Sequence, residues 1–445
     1  MFSAVPFSRN MYYNKTKNAG FAAASLIKQV NKMSNEFSKG KVQKSNRLLF
    51  TLGCWGIRAY CRLAGIRISF TNKCGKMPER PSIVLCNHGS FLDFAYTGAF
   101  LRKCHPKAVI ARYYFYHKWL SRLLKLLGGF PKSQLEVDVE STKNCLRVLQ
   151  DGVLVMMPEA RVCCVGRLEA IQEGTYSFLK KVKVPVYTVR LNGDYLSYPK
   201  WGKGFRRGAV VESELDALFS VEDLGRLSVE EIKQAVEERL RYDDFQWLQT
   251  RPDVHYRSGR LAEGLENILT VCPVCMGRHT ITTKKHEVLC EHCGKLTTMD
   301  DRYAFSEDFR FANFVQWYDW QTGILREEIF RDPDYAMESE VELQLPSEDG
   351  KTIMRTAGRG RCTLTRAGLT YRGTKDGEPY EISFPLKRIF RLIFGAGEGF
   401  QVYNGPEMLY FLPDERRSAV DWYLASEILY EEAYGKQNVL SGTAR

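Results

Sequence analysis

No run of apolar residues in this chain of 445 reaches the roughly 18–20 that a membrane-spanning helix needs. The longest near the start, Leu48 to Ile57, is closed by Arg47 and Arg58. A signal-peptide core followed by a small-residue cleavage site is missing too. Acidic residues are almost absent from the first 73 positions, where thirteen Lys and Arg face the single Glu36. The remainder carries 51 residues of each sign, so the whole net charge of +12 belongs to that opening segment. Such a segment suits an anionic surface. The thirteen cysteines lack the regular spacing of a disulfide framework, which favours reduced thiols in a cytosolic setting. The expectation is a cytoplasmic protein, peripheral on the cytoplasmic face of a membrane, with no transmembrane helix.

Apolar and charged fractions of 44% and 26% are those of a globular protein, and the length allows two or three domains. Residues 18–33 place Ala22, Leu26, Ile27, Val30 and Met33 on one helical face. Leu48 to Leu63 mixes Trp55, Ile57 and Tyr60 with Arg58 and Arg62. Residues 1–65 therefore read as basic amphipathic helices for the membrane interface, though core-packing helices with solvated lysines would share the pattern. From 66 to 250 strands alternate with helices: Ile66–Phe70, Ile83–Cys86, Ala108–Ala111, Val153–Met157 and Val184–Leu191 as strands, with helices between. That order argues for an α/β catalytic domain, a mostly parallel sheet with flanking helices. Ser141 is expected to cap one of the helices, and 201–250 to supply finishing helices, with Ser228 and Glu231 as a capping box.

One stretch concentrates the chemistry. Asn87-His88-Gly89-Ser90-Phe91-Leu92-Asp93 follows the apolar strand Ile83–Cys86, with histidine and carboxylate five positions apart. A neutral imidazole can accept a proton near pH 7, and a carboxylate can fix its tautomer and stabilise the imidazolium. The same residues fit a loop histidine beside a helix-capping Asp. Three further stretches follow: Gly128-Gly129-Phe130-Pro131-Lys132, Pro158-Glu159-Ala160-Arg161, and Val184-Pro185-Val186 leading to Arg190. In this order and at these spacings the four resemble the blocks of the glycerophospholipid acyltransferase family, in particular the lysophosphatidic acid acyltransferases. Asn87, His88, Ser90 and Asp93 all match the family's NHxSxxD block. Two blocks depart from it. Ser133 stands where the second block normally has its arginine, and Glu159-Ala160-Arg161-Val162 stands where the third reads Glu-Gly-Thr-Arg.

The resemblance implies transfer of a fatty acyl group from acyl-CoA or acyl-acyl carrier protein to a lysophospholipid hydroxyl. Lysophosphatidic acid is the first acceptor it suggests, and the carrier protein would be a partner if it is the donor. His88 would be the general base and Asp93 its orienting acid. Asn87 and Ser90 would shape the site, Glu159 would bind an acceptor hydroxyl or order the site, and Lys132, Arg161 and Arg190 would be the phosphate partners. No covalent acyl-enzyme is implied, and no G-x-S-x-G elbow surrounds Ser90. The altered blocks leave room for an amino-lipid or glycolipid acceptor. A lipid- or protein-binding scaffold that retains the fold without the chemistry is a second alternative.

Beyond the α/β part, Cys272-Pro273-Val274-Cys275 and Cys290-Glu291-His292-Cys293 are two CxxC knuckles separated by 14 residues. Four thiolates complete a closed, structural zinc site, so 262–305 reads as a four-cysteine zinc ribbon. Its surroundings carry no basic stripe, and no nucleic-acid partner is expected. Residues 306–335 read as an aromatic-rich helical linker, and 336–436 as a small antiparallel β domain closed by a C-terminal helix. Its turn signals include Asn404-Gly405, and its element order looks like a pleckstrin-homology-like barrel.

Overall fold

A computed structural model describes residues 45–135, 138–389 and 391–435. The expected helix over 18–33, and the rest of 1–44, lie outside the described residues. The first helix, α1 (Arg47–Leu63), is capped by Asn46, whose Oδ1 accepts from Leu49 N at 3.0 Å. It buries only Cys54 and Cys61 and exposes Leu48, Leu52, Trp55 and Leu63. No described helix is long and apolar enough to cross a membrane.

The elements that follow are β1 (Arg67–Asn72), β2 (Ser82–Cys86), α2 (Asp93–Phe100), β3 (Lys107–Ala111), α3 (Lys118–Leu126), β4 (Gly129–Lys132), α4 (Val139–Val148), β5 (Val153–Met156), α5 (Glu173–Val182), β6 (Val186–Asn192), β7 (Val210–Phe219) and α6 (Val229–Leu240). Their strands form one seven-stranded sheet in the order β1-β7-β6-β2-β5-β3-β4. β2, β3, β4, β5 and β6 pair in parallel, while β7 runs antiparallel to β6 and parallel to β1. The central strands are continuous β-branched and aliphatic runs because both faces are covered. Alternation divides them between two cores: Ile83 and Leu85 point into one, Val84 and Cys86 into the other.

Two local expectations are corrected. The stretch 201–250 is not helical throughout, since β7 occupies ten of its residues with inward Val211, Ser213 and Leu215 alternating with acids. Ser141 does not cap α4. Asp138 does, its Oδ1 accepting from Ser141 N at 2.9 Å, because a carboxylate three residues earlier reaches the same orphan N–H. The Ser228–Glu231 capping box is present at α6.

A three-stranded antiparallel sheet follows, β8 (Ile281–Lys284), β9 (Glu287–Cys290) and β10 (Gly294–Thr298), with the four clustered cysteines at its end. The helix α7 (Phe314–Arg331) buries Phe314, Trp317, Tyr318, Leu325 and Ile329. Then come β11 (Ala336–Pro346), β12 (Met354–Thr365), β13 (Gly368–Lys375), β14 (Glu378–Pro385), β15 (Ile393–Phe394), β16 (Phe400–Asn404), β17 (Glu407–Pro413) and the helix α8 (Ala419–Tyr434). These strands form an antiparallel sheet in the order β14-β13-β12-β11-β17-β16-β15. Residues Asn404 and Glu407 pair across the expected turn, where Gly405 takes the left-handed conformation.

One apolar core runs without a break from Val84 and Val155 through Tyr303 and Trp317 to Phe411 and Trp422. The three sheets therefore hold one another through shared burial. This places β15, β16 and α8 against the C-terminal ends of the parallel strands, where open α/β sheets keep their binding crevice.

Candidate active site

β2 ends at Cys86, and its continuation is fixed before any chemistry begins. The Asn87 side chain donates Nδ2 to Leu191 O (3.0 Å) and accepts from Leu191 N (2.7 Å), extending the pairing with β6 by a side chain. The His88 backbone is held from the other side: its N–H reaches Glu159 Oε1 at 2.7 Å, and its carbonyl accepts from Cys163 N at 2.9 Å. The bend to α2 needs Gly89, because the Asp194 carboxylate occupies the space a Cβ would take. Ser90 Oγ accepts from Leu92 N at 3.1 Å and turns toward Asp194 Oδ2 at 3.4 Å. The chain is thereby returned so that Asp93, the first residue of α2, bonds His88 Nδ1. Asp93 Oδ1 also accepts from Phe94 N at 2.6 Å.

The pair has the geometry of a base and its orienting acid. Asp93 is fully buried and His88 partly so, and both line a cavity of about 600 Å³. Binding through Nδ1 leaves Nε2 as the ring nitrogen for that cavity. Burial pushes the imidazole's pKa down, but the charge and hydrogen bond of Asp93 outweigh it, and the net shift is upward. A second carboxyl, Asp194, lies behind the pair. Burial, reinforced by the charge on Asp93, pushes its pKa well above the carboxylate range.

The cavity's lining combines apolar residues with polar ones. Ala108, Val109, Ile110 and Ala111 of β3, Leu120 and Leu124 of α3, and Val155 of β5 are among its apolar lining. His88, Lys132, Gln134, Arg161 and Lys200 bring polar groups, and Phe394, Gly395, Glu398, Gln401 and Tyr410 complete the enclosure from the antiparallel sheet. The two sheets are joined there by Gln401 Nε2 donating to Gln134 Oε1 at 3.2 Å.

Of the residues singled out in the sequence, His88, Asp93, Lys132 and Arg161 meet at this cavity. Asn87, Ser90, Glu159 and Arg190 are not among its lining. Asn87 and Ser90 brace the loop, as described. Glu159 is a buried clamp behind the wall, accepting from His88 N and, at 2.9 Å, from Glu169 N. Burial pushes its carboxyl up to about 8, against the two N–H groups that favour the charge. Arg190 faces β7 and pairs with Glu214 at 3.4 Å.

The departures from the family blocks have visible consequences. Ser133 receives Arg112 Nε at 2.8 Å, and Arg112 Nη2 bonds Asp138 at 2.8 Å, so this arginine is spent outside the cavity lining. Ala160, in the place of the block's glycine, adopts φ 61°, a left-handed conformation that costs a residue with a Cβ about 1–2 kcal/mol. It turns Arg161 inward, where the guanidinium pairs with Glu169 and donates Nη2 to Tyr423 Oη of α8 at 2.6 Å.

Lys200, Gln134 and the residues from β15–β17 were not found from the sequence. Lys200 lies in Tyr198-Pro199-Lys200-Trp201, with no motif around it, and Gln401 and Phe394 belong to strands far along the chain.

Residues 67–192, which contain all four blocks, match the family model described as Acyltransferase. This stretch is thus an acyltransferase domain, the family its motifs resemble. Among solved structures, the 1-acyl-sn-glycerophosphate (LPA) acyltransferase of Thermotoga maritima is similar at 18% identity, over 46% of this chain and 80% of that one, with a TM-score of 0.38. A search of curated proteins returned no match.

Proposed function

We propose that this protein moves a fatty acyl group from acyl-CoA or acyl-acyl carrier protein to the hydroxyl of a lysophospholipid, lysophosphatidic acid first among them. The observation that carries this reading is the His88–Asp93 pair opening onto a cavity with apolar lining for a chain and cations for an anionic head. His88 Nε2 takes the proton of the acceptor hydroxyl as its oxygen attacks the thioester carbonyl carbon. The tetrahedral intermediate collapses, the C–S bond breaks, and the thiolate leaves with the proton from the imidazolium. Asp93 holds the ring in the tautomer that leaves Nε2 basic and stabilises it when charged. Ser90 has no part as a nucleophile, its hydroxyl being engaged within the loop. Glu159 takes the ordering role rather than the hydroxyl-binding one.

The scaffold alternative has no use for a base presented to a cavity. The choice among acceptors is made by a panel: purified protein, radiolabelled acyl-CoA and lysolipids with phosphate, amino and sugar heads. Label entering phosphatidic acid at the highest rate is expected. Label entering only an amino-lipid or glycolipid product moves the acceptor, and no labelled lipid at all defeats the reading.

The cysteine cluster supports a structural zinc ion. The four Sγ atoms lie within 4.8 Å of one another, with Cys272–Cys293 at 3.9 Å and Cys275–Cys290 at 3.8 Å. A tetrahedral ion with Zn–S bonds of about 2.3 Å would set an edge of about 3.8 Å. Protein purified without chelator should carry about one equivalent of zinc by metal analysis, and metal-free protein would refute the site. Exposed Leu48, Leu52, Trp55 and Leu63 on α1, with Trp119 and Leu126 on α3, support contact with a phospholipid surface. The order of seven antiparallel strands closed by α8 supports the pleckstrin-homology-like reading of the last unit.

A further inference from the structure

We propose that Tyr423, carried by α8, is a positioning residue for the base His88, and that Arg161 transmits its hold instead of binding substrate. The consequence for catalysis rests on the acyl-transfer reading above; the hold on His88 does not.

His88 is gripped at both of its backbone groups by one segment. Its carbonyl accepts from Cys163 N at 2.9 Å, and its N–H reaches Glu159 Oε1 at 2.7 Å. The other oxygen of Glu159 accepts from Glu169 N at 2.9 Å. The segment 161–169 is in turn closed on itself. The Glu169 carboxylate pairs with the Arg161 guanidinium, and its Oε1 accepts from Cys164 N at 2.8 Å. A shift of this segment against β2 therefore moves the imidazole.

Tyr423 fastens the start of the segment. Arg161 Nη2 donates to Tyr423 Oη at 2.6 Å, and Arg161 Cζ lies 4.2 Å from the centroid of the same ring. Tyr423 is fixed on its own side. Its ring stacks on Phe394 of β15, with centroids 4.9 Å apart and an interplanar angle of 19°. Its carbonyl accepts from Ser426 Oγ at 2.8 Å, and that hydroxyl accepts from Leu392 N at 3.1 Å. Glu159, Arg161 and Tyr423 are buried, so a bond lost here is not replaced by bulk water and its neighbours weaken with it. The base is thus tied through Glu159, Glu169 and Arg161 to a helix that lies outside the matched stretch 67–192.

The bonding of Arg161 suits a fastener. A guanidinium grips a phosphate best with two N–H groups along one edge. Here Nε and Nη2 are engaged by Glu169 and Tyr423, and the ring of Tyr423 covers a face. Nη1 is the nitrogen left without a partner, and it is buried. A base that drifts costs turnover, because the proton must be taken at a set distance. The acceptor's own contacts are untouched, so KM stays where it was.

The test uses the full chain and Tyr423→Phe, which keeps the stacked ring and removes only the hydroxyl. Two quantities are read: kcat and KM over the lysolipid panel, and hydrogen exchange of peptides spanning 83–93, where Glu159 is the partner of the His88 N–H. The variant is expected to lower kcat about three- to tenfold, what one buried hydrogen bond is worth, by the same factor for every acceptor and with KM unchanged. Exchange at 83–93 should quicken by a similar factor, while peptides of β5 exchange as in the parent. Glu431→Gln, which loosens α8 from Arg326 of α7 without touching Arg161, should match the parent in both readings. Parent-like kcat and exchange in Tyr423→Phe overturn the proposal. A rise in KM confined to phosphate-headed acceptors also overturns it, since Arg161 would then be a substrate ligand. Faster exchange in β5 as well, or the same losses in Glu431→Gln, would reduce Tyr423 to general packing. If exchange quickens at 83–93 but the parent yields no product from the panel, the hold on His88 stands and the acyl-transfer reading falls. If the parent yields product and neither reading moves, the reverse holds.

Discussion

His88 and His279 each hold an aspartate, and the two pairs are similarly buried. Side-chain exposure is 20% and 0% for His88 and Asp93, and 24% and 6% for His279 and Asp421. The difference lies in which nitrogen is used and what faces the ring. His88 gives Nδ1 to Asp93 and keeps Nε2 for the cavity, with its backbone clamped by Glu159 and Cys163. His279 gives Nε2 to Asp421 at 2.7 Å, and Asp421 also accepts from Thr270 Oγ1 at 2.7 Å. This second pair fastens the region of the cysteine cluster to α8, the helix that carries Tyr423 to Arg161. On the proposed reading, a His–Asp pair serves as a base in one place and a bolt in the other. Access and the free nitrogen decide between them, not the pair itself.

Removing each imidazole in turn separates the two roles. His88→Ala should lower acyl transfer about 10²–10⁴-fold, the usual worth of a general base, with little change in the unfolding midpoint. A protein that retains its turnover would show that His88 is a bolt as well. His279→Ala should do the opposite. Leaving the buried Asp421 without its imidazole partner costs about 1–3 kcal/mol of stability in denaturant unfolding. Turnover per folded molecule should stay within a few-fold of the parent. A loss as large as that at His88, with unchanged stability, would place His279 in the chemistry.

The same contrast shows what was legible in the sequence. The first pair could be read because its parts are local: a strand, a five-residue return and a carboxylate at a helix start. The parallel sheet was legible from its apolar runs, and the cysteine cluster from knuckle spacing. The second pair joins residues 142 apart, and no local pattern connects His279 with Asp421. The cavity's second wall was hidden for the same reason. Phe394, Gln401 and Tyr423 follow ordinary strand and helix periodicity and gain meaning only from the shared core that docks them on the parallel sheet. β7 escaped because acids on its outward face broke the apolar run that marked its neighbours. Arg190 was placed correctly on β6, but a strand residue's face depends on what lies beside it, and Glu214 of β7 claimed it.

The smallest expected effect concerns the clamp that only the first pair has. Glu159 is held up to about 8 by burial, above the ordinary value of 4.5. The folded state therefore binds this proton more tightly than the unfolded chain does. The stabilisation it brings is complete below about pH 4.5 and is lost as the pH rises through about 8. Glu159→Gln cannot titrate. Its amide oxygen can keep one of the two backbone N–H bonds and loses the other, at about 1 kcal/mol. Plotted against pH, the stability advantage of the parent over Glu159→Gln should shrink between about pH 4.5 and 8, by no more than about 1.4 kcal/mol per unit. A flat difference would mean that the carboxyl is not held protonated. The rate profile gives a second, finer reading. Activity rises with pH as His88 becomes neutral, and its raised pKa puts that limb above 6.5. Negative charge on Glu159 contributes to the rise, so Glu159→Gln should move the limb to lower pH. The shift should be well under one unit, because Asp93 is the nearer and dominant anion and the Glu159 carboxyl is largely neutral over that range.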